Sequence, residues 1–139
     1  MLTELRQYTN HSAQTATPGQ LIVMLYDGFL RFAGQGKAAM EKGDVGEAGL
    51  KLNRAQDIVT ELRVSLDMTQ GQVAQNLASI YDYVGERLTA SRLNRDTAEI
   101  AEAVRCMADL RSAWAQIANT PRPARAENSR PSVGVDLAG

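Results

Sequence analysis

Very few residues of this sequence have the chemistry or the spacing that catalysis or metal binding requires. The chain of 139 residues contains one histidine, His11, and one cysteine, Cys106. Protein zinc sites usually combine several Cys and His ligands, and a lone cysteine cannot form an internal disulfide. The sequence therefore predicts no metal site, no cofactor and no disulfide framework.

One segment carries part of a phosphate-binding pattern. Gly34-Gln35-Gly36-Lys37 supplies glycines and a lysine, as a P-loop does. Arg31 stands where the first glycine is required, however, and Ala38 stands where the magnesium-binding hydroxyl is required. We interpret these glycines as positions on a helix where another element comes close.

The remaining reactive side chains are also predicted to be structural. The glutamates available for an acid–base pair lie among arginines and polar residues, which is typical of solvated helix faces. These glutamates are Glu61, Glu86, Glu99 and Glu102. Cys106 lies beside Met107 on the apolar side of the last predicted helix, where a cysteine behaves as a small hydrophobe. We therefore predict that the protein is not an enzyme.

Charge and hydropathy exclude other classes of protein. The chain has 15 Lys and Arg against 16 Asp and Glu, so its formal net charge is -1. Proteins that grip nucleic acid or an anionic membrane need a basic excess, so neither partner is expected. The apolar stretch from Leu21 to Tyr26 is too short to span a bilayer, and the first residues resemble no secretory signal. We expect a cytoplasmic protein with no membrane insertion.

The distribution of proline indicates what positions the remaining residues. All four prolines lie outside residues 19–119, at Pro18, Pro121, Pro123 and Pro131. Proline is tolerated at the start of a helix and breaks its interior, so this interior predicts helices. Apolar residues recur there every three or four positions, as on one face of a helix.

Capping signals divide this interior into four helices. Thr17, Pro18 and Gln20 form a predicted capping box, which begins a first helix that runs to about Lys42. Asp44 begins the second helix and Asp96 the fourth, each with a glutamate three residues later. The third helix follows a short connection over residues 67–71. The predicted seams are Ala48, Leu52, Ala55, Val59, Leu62 and Leu66; Val73, Leu77, Ile80, Val84 and Leu88; and Ile100, Val104, Met107, Leu110, Trp114 and Ile117.

These connections are short, so helices that follow one another are expected to pack as antiparallel neighbours. The predicted fold is all-α, an elongated antiparallel up-down-up-down four-helix bundle over residues 18–118. Residues 1–17 are predicted to form a flexible leader, and residues 119–139, which contain three prolines and little apolar content, a disordered tail.

The first helix has more apolar surface than a bundle core needs. One stripe holds Leu21, Leu25, Phe29 and Phe32, and a second holds Ile22, Tyr26, Leu30 and Ala33. Either this helix is central and well covered, or it exposes a groove for another protein's helix. Tyr81 and Tyr83 point to different sides of the third helix, so one of them is expected at the surface. Tyr8 in the leader is a candidate lid residue.

The sequence resembles the flagellin-specific export chaperone family, known as FliS, over about residues 1–118. The likeness rests on an ordered set of stretches rather than on any one motif. They are Thr15-Ala16-Thr17-Pro18 with Leu21-Ile22-Val23-Met24-Leu25-Tyr26-Asp27-Gly28; Leu52-Asn53-Arg54-Ala55-Gln56-Asp57-Ile58-Val59; Glu61-Leu62-Arg63 with Ser65-Leu66-Asp67; Asn76-Leu77 with Ile80-Tyr81-Asp82-Tyr83; and Arg111 with Trp114.

The resemblance implies a bacterial cytoplasmic chaperone. Such a protein binds the disordered C-terminal segment of newly made flagellin, prevents premature polymerisation and presents the subunit to components of the flagellar export apparatus. The candidate contacts are Tyr8, Leu21, Ile22, Leu25, Tyr26, Asn53, Ile58, Leu62, Tyr81 and Tyr83. A second hypothesis is an adaptor or regulatory bundle that binds a folded partner or a copy of itself.

Overall fold

The computed structural model describes residues 16–119, and these residues fold as a four-helix bundle. The α-helices are α1 (Pro18–Glu41), α2 (Val45–Val64), α3 (Gln72–Asn94) and α4 (Thr97–Asn119), with a 3-10 turn over Met68–Gln70 between α2 and α3. The described residues contain no β-strand. The predicted all-α bundle is therefore confirmed. The predicted leader and tail lie almost wholly outside the described residues.

The predicted capping signals begin the helices. The Thr17 side chain accepts the backbone N–H of Gln20 at 3.1 Å, and the Gln20 side chain accepts the N–H of Thr17 at 2.9 Å. Asp44 accepts the N–H of Glu47 at 3.1 Å at the start of α2. These bonds satisfy backbone donors that the first turn of a helix leaves without partners.

Contacts between successive helices show that they are antiparallel. On α1, Gly28 lies against Ile58 of α2, while Gly36, farther along α1, lies against Leu52, which comes earlier on α2. The numbering also runs in opposite directions between α2 and α3, where Arg63 bonds Asp82 and Asn53 bonds Arg92.

The remaining two interfaces close the bundle. Tyr83 of α3 bonds Glu102 of α4, and Arg87, one turn later, bonds Glu99. On the opposite side of α4, Arg111 bonds Asp27 of α1 at 2.7 Å. Each helix therefore packs against two neighbours, and α1 lies diagonally opposite α3.

Gly36 permits the closest approach of α1 to α2. A Cβ atom at this position would lie 2.7 Å from Cδ2 of Leu52, which is closer than packed carbon atoms approach. A Cβ atom at Gly34 would have no neighbour within 4 Å. The interpretation of these glycines as a close approach is thus correct for Gly36 and wrong for Gly34.

The described core is apolar apart from Ser91, whose hydroxyl donates to the Leu88 carbonyl at 2.7 Å, and a chain of hydrogen bonds between aromatic side chains. The Tyr26 and Tyr81 hydroxyls lie 2.6 Å apart, and the Trp114 indole N–H donates to the Tyr26 hydroxyl at 2.9 Å. These partners satisfy polar atoms whose burial would otherwise be costly. The largest buried aliphatic side chains around them are Leu52, Ile58, Leu62, Leu88, Ile100 and Met107.

Among the helices of residues 16–119, none has both the length and the apolar character that a membrane crossing requires.

Candidate partner-binding site

The large exposed apolar side chains of the described residues lie outside the first helix. The large hydrophobic residues exposed within residues 16–119 are Val45, Leu50, Val64, Met68, Val73, Tyr83, Leu93 and Ile117. None of them belongs to α1. The apolar stripes of α1 are instead buried or half-buried, since α1 packs against both α2 and α4. Of the two alternatives for the first helix, the structure therefore shows a central and well-covered helix.

Four candidate contact residues lie in the core and not on a surface groove. Tyr26, Ile58, Leu62 and Tyr81 are each at most 2 % exposed. Ile58 and Leu62 lie on the inward seam of α2, and the two tyrosines are accommodated because their hydroxyls bond each other. Burial raises the pKa of both phenols, so both hydroxyls stay protonated and one can donate a hydrogen bond to the other. These residues support the bundle and offer no surface to a partner.

The other candidates have varied positions. Leu21, Ile22 and Leu25 are half-buried along α1. Tyr83 is exposed and donates its hydroxyl to Glu102 on α4 at 3.0 Å. Tyr8 lies outside the described residues.

Asn53 is the candidate that lines a surface cavity. This cavity, of about 770 Å³, lies between the first half of α2 and the last turns of α3. Its wall includes Leu50 of α2 and Leu93 of α3, and Leu93 is 78 % exposed. An apolar side chain so exposed is a marker of an interaction surface when it adjoins others, as it does here.

A second cavity continues the first along α3. It has a volume of about 540 Å³ and extends past Gly85 to Asp82. Thr89 and Leu93 line both cavities, so the two form one continuous depression, here called the α2–α3 groove. From Asp82 to Arg95 the groove follows about 20 Å of helix at roughly 1.5 Å per residue, or between three and four helical turns.

Small residues create the α2–α3 groove. Gly46 and Gly49 line it on α2, and Gly85 and Ala90 line it on α3. These positions project little or no side chain, so the depression between the two backbones stays open. At Gly85 the side chain of Gln56 reaches across from α2, since a Cβ there would lie 2.9 Å from the side-chain amide nitrogen of Gln56.

Two polar contacts bridge the groove. The Arg92 guanidinium donates to the Asn53 side-chain oxygen beside the larger cavity. The Arg63 Nε donates to an Asp82 carboxylate oxygen at 3.0 Å at the other end. These bonds hold α2 and α3 in register while leaving Leu50 and Leu93 uncovered.

Polar contacts cover the neighbouring α3–α4 face. Glu102 accepts from Tyr83 and from Arg105, and these bonds lower the pKa of its carboxyl to about 2. Arg87 bonds Glu99 at 2.9 Å one turn away. The charged groups of this face therefore pair mostly with one another, although the Arg87 Nε is buried without a hydrogen-bond partner.

The described residues contain no candidate metal site. Within residues 16–119, no three or more His, Cys, Asp and Glu side chains are grouped so that they could hold a metal ion. Burial and the nearby Glu102 carboxylate raise the pKa of Cys106, which keeps it in the thiol form. The chemistry that the groove supports is the binding of an apolar helix or strand.

Sequence reasoning missed most of this groove because it followed the aromatic residues. The available signal was a set of leucines and glycines outside the predicted seams, namely Gly46, Gly49, Leu50, Gly85 and Leu93. A leucine placed off the inward seam of a helix has to face either solvent or a partner.

Comparison with known proteins places the chain in a family. The sequence model of the family described as "Flagellar protein FliS" matches residues 1–121. The chain is 34% identical over 118 residues to the flagellar secretion chaperone FliS of Bacillus subtilis, covering 85% of this chain and 88% of that protein. It is also 34% identical over 108 residues to FliS of Salmonella typhimurium, covering 76% of this chain and 80% of that protein. The protein therefore belongs to the FliS family of flagellar secretion chaperones.

Proposed function

We propose that this protein binds the C-terminal segment of flagellin in the α2–α3 groove, before export and in the cytoplasm. Binding there would withhold that segment from premature polymerisation and deliver the subunit to the flagellar export apparatus. The observation that carries the proposal is an open apolar groove lined by Leu50 and Leu93. The family resemblance implies flagellin as the client.

The shape of the groove suits a client that is disordered on its own. Such a segment loses conformational entropy when it becomes ordered, so it needs a long contact surface rather than one small pocket. A groove of between three and four helical turns would receive an amphipathic helix along one apolar face, with residues spaced three and four apart. Gly49 lines the groove and a Cβ there would have no neighbour within 4 Å, so the backbone of that helix could come close at this position.

Circular dichroism with a flagellin C-terminal peptide tests the proposal. The peptide and the full chain are measured separately and then mixed at micromolar concentration. We expect more helix in the mixture than in the sum of the two separate spectra. An unchanged spectrum together with no binding by calorimetry would contradict the proposed function.

A variant that fills the groove provides the matched control. Thr89 is exposed and lines both cavities, so Thr89→Arg places a long side chain across the groove. Arginine has a higher helix propensity than threonine, and the bundle is expected to stay folded. The gain of helix seen with the parent chain should be largely lost with this variant.

A further inference from the structure

We propose that the α2–α3 groove also fixes the direction of the helix that it binds. The C-terminal end of the bound helix would lie beside Arg92 and Arg95, and its N-terminal end beside Glu86. This inference rests on the proposed function, because it describes how the same groove holds the same client. It adds that the preferred client helix carries acidic residues toward its C-terminal end and basic residues toward its N-terminal end.

The end of the groove formed by the last turn of α3 is basic. Arg92 and Arg95 both line the larger cavity and are exposed. Arg92 donates to the neutral side chain of Asn53, and neither arginine forms an ion pair within residues 16–119. The nearby Asp96 carboxylate accepts the backbone N–H of Ala98 at 2.9 Å. Two positive charges are therefore available to a ligand at this end.

The other end of the groove carries one unpaired acidic side chain. Asp82 and Glu86 line the smaller cavity, and both are exposed. Asp82 is engaged by Arg63 at 3.0 Å. Glu86 has no ion-pair partner in the part of the chain that the structure describes, so it supplies the free negative charge.

These charges complement the dipole of a bound helix in one direction. The N-terminal end of a helix is partly positive and its C-terminal end partly negative. The dipoles of α2 and α3 largely offset each other because the two helices are antiparallel, so the groove side chains decide the preference. Summed over both ends, such interactions favour one direction about tenfold.

Site-specific cross-linking shows in which direction the flagellin helix lies along the α2–α3 groove. A photo-reactive amino acid replaces either Asn94, next to Arg95, or Ser79, one turn before Asp82, in the full chain; both positions are exposed on α3. The cross-linked flagellin residue is then identified by mass spectrometry for each position. We expect position 94 to capture a flagellin residue closer to the flagellin C-terminus than the residue that position 79 captures. The reverse order, or the same mixture from both positions, would overturn the inference.

Charge reversal supplies a second readout. Arg92→Glu with Arg95→Glu should weaken flagellin binding about tenfold and abolish the order of the cross-links. Lys37→Glu with Arg105→Glu changes the net charge equally on α1 and α4, outside the groove, and should change the affinity less than twofold. Equal losses in both variants would overturn the inference while leaving the proposed function intact. Failure of the parent chain to bind would overturn both.

Discussion

The hydroxyls of Tyr26 and Tyr81 lie 2.6 Å apart and join two helices that face each other diagonally across the bundle. The Trp114 indole N–H donates to the same Tyr26 hydroxyl at 2.9 Å, which brings α4 into the chain of hydrogen bonds. Hydrogen bonds are directional, whereas apolar packing tolerates small slips between helices. This chain of bonds therefore helps to fix the register of α1, α3 and α4.

The Tyr26 hydroxyl bonds both Tyr81 and Trp114, so removing it should lower the stability more than removing the Tyr81 hydroxyl. Tyr26→Phe leaves two buried donors without partners, on Tyr81 and Trp114, and should lower the free energy of unfolding by about 2 to 3 kcal/mol. Tyr81→Phe removes one hydrogen bond but leaves the Tyr26 hydroxyl bonded to Trp114, and should cost about 1 kcal/mol. The measurement is urea unfolding followed by circular dichroism.

The double variant and a surface control complete this test. Replacing both tyrosines removes the orphaned Tyr81 hydroxyl, so the double variant should cost less than the sum of the single variants. Tyr83→Phe removes a hydroxyl that bonds Glu102 at the surface, and its effect should be under about 0.5 kcal/mol. Additive costs for Tyr26 and Tyr81 would show that their hydroxyls are not coupled.

The same pair predicts how stability depends on alkaline pH. Burial raises the pKa of Tyr26 and Tyr81 above the value of 10.0 that an exposed phenol has. Above pH 10 the unfolded chain therefore loses phenol protons that the folded chain retains, and the free energy of unfolding falls as the pH rises. Tyr26 alone contributes a slope of about 1.4 kcal/mol per pH unit.

Ultraviolet absorbance and unfolding measured together check this prediction. Phenolate absorbance from the two buried tyrosines should appear only as the bundle unfolds. The variant that carries Phe at both positions should show a shallower loss of stability above pH 10. Ionisation of Tyr26 or Tyr81 before any loss of helix would contradict the described packing.

Replacing either of two glycines in α1 by alanine should change the stability in opposite directions. Gly34→Ala places a methyl group where no neighbour lies within 4 Å and should stabilise the helix by about 1 kcal/mol. Gly36→Ala places a methyl group 2.7 Å from Leu52 and should destabilise the protein by about 1 kcal/mol, after the gain in helix propensity is included. Thermal unfolding of the two variants measures both changes in stability. A stabilising effect at Gly36 would show that α1 and α2 are less closely packed than described.

Sequence reasoning predicted the helices well because their boundaries depend on local interactions. Thr17, Asp44 and Asp96 accept backbone N–H groups within three residues of themselves. Spacings of three and four then identified most residues of the inward seams, although Val73 and Ile117 from the predicted seams are exposed. The short connections between successive helices were enough to predict the bundle.

The contact surface was harder to predict because it depends on how the helices are rotated. Tyr26 and Tyr81 have the composition expected of an interface, but their hydroxyls meet each other in the core. Leu93 lies off the seam of α3, and only packing shows that Leu50 of α2 lines the same cavity. The spacing of residues along one helix does not show which residues of its neighbour lie opposite.

The proposed function requires that apolar contacts in the α2–α3 groove bind flagellin. Leu93 and Ile117 are both exposed, at 78 % and 48 %, but only Leu93 lines the groove. Calorimetric titration of the flagellin C-terminal segment into Leu93→Gln and Ile117→Gln compares them directly. We predict about a tenfold loss of affinity for Leu93→Gln, which corresponds to about 1.4 kcal/mol, and an unchanged affinity for Ile117→Gln. Equal affinities for both variants and the parent chain would contradict the claim.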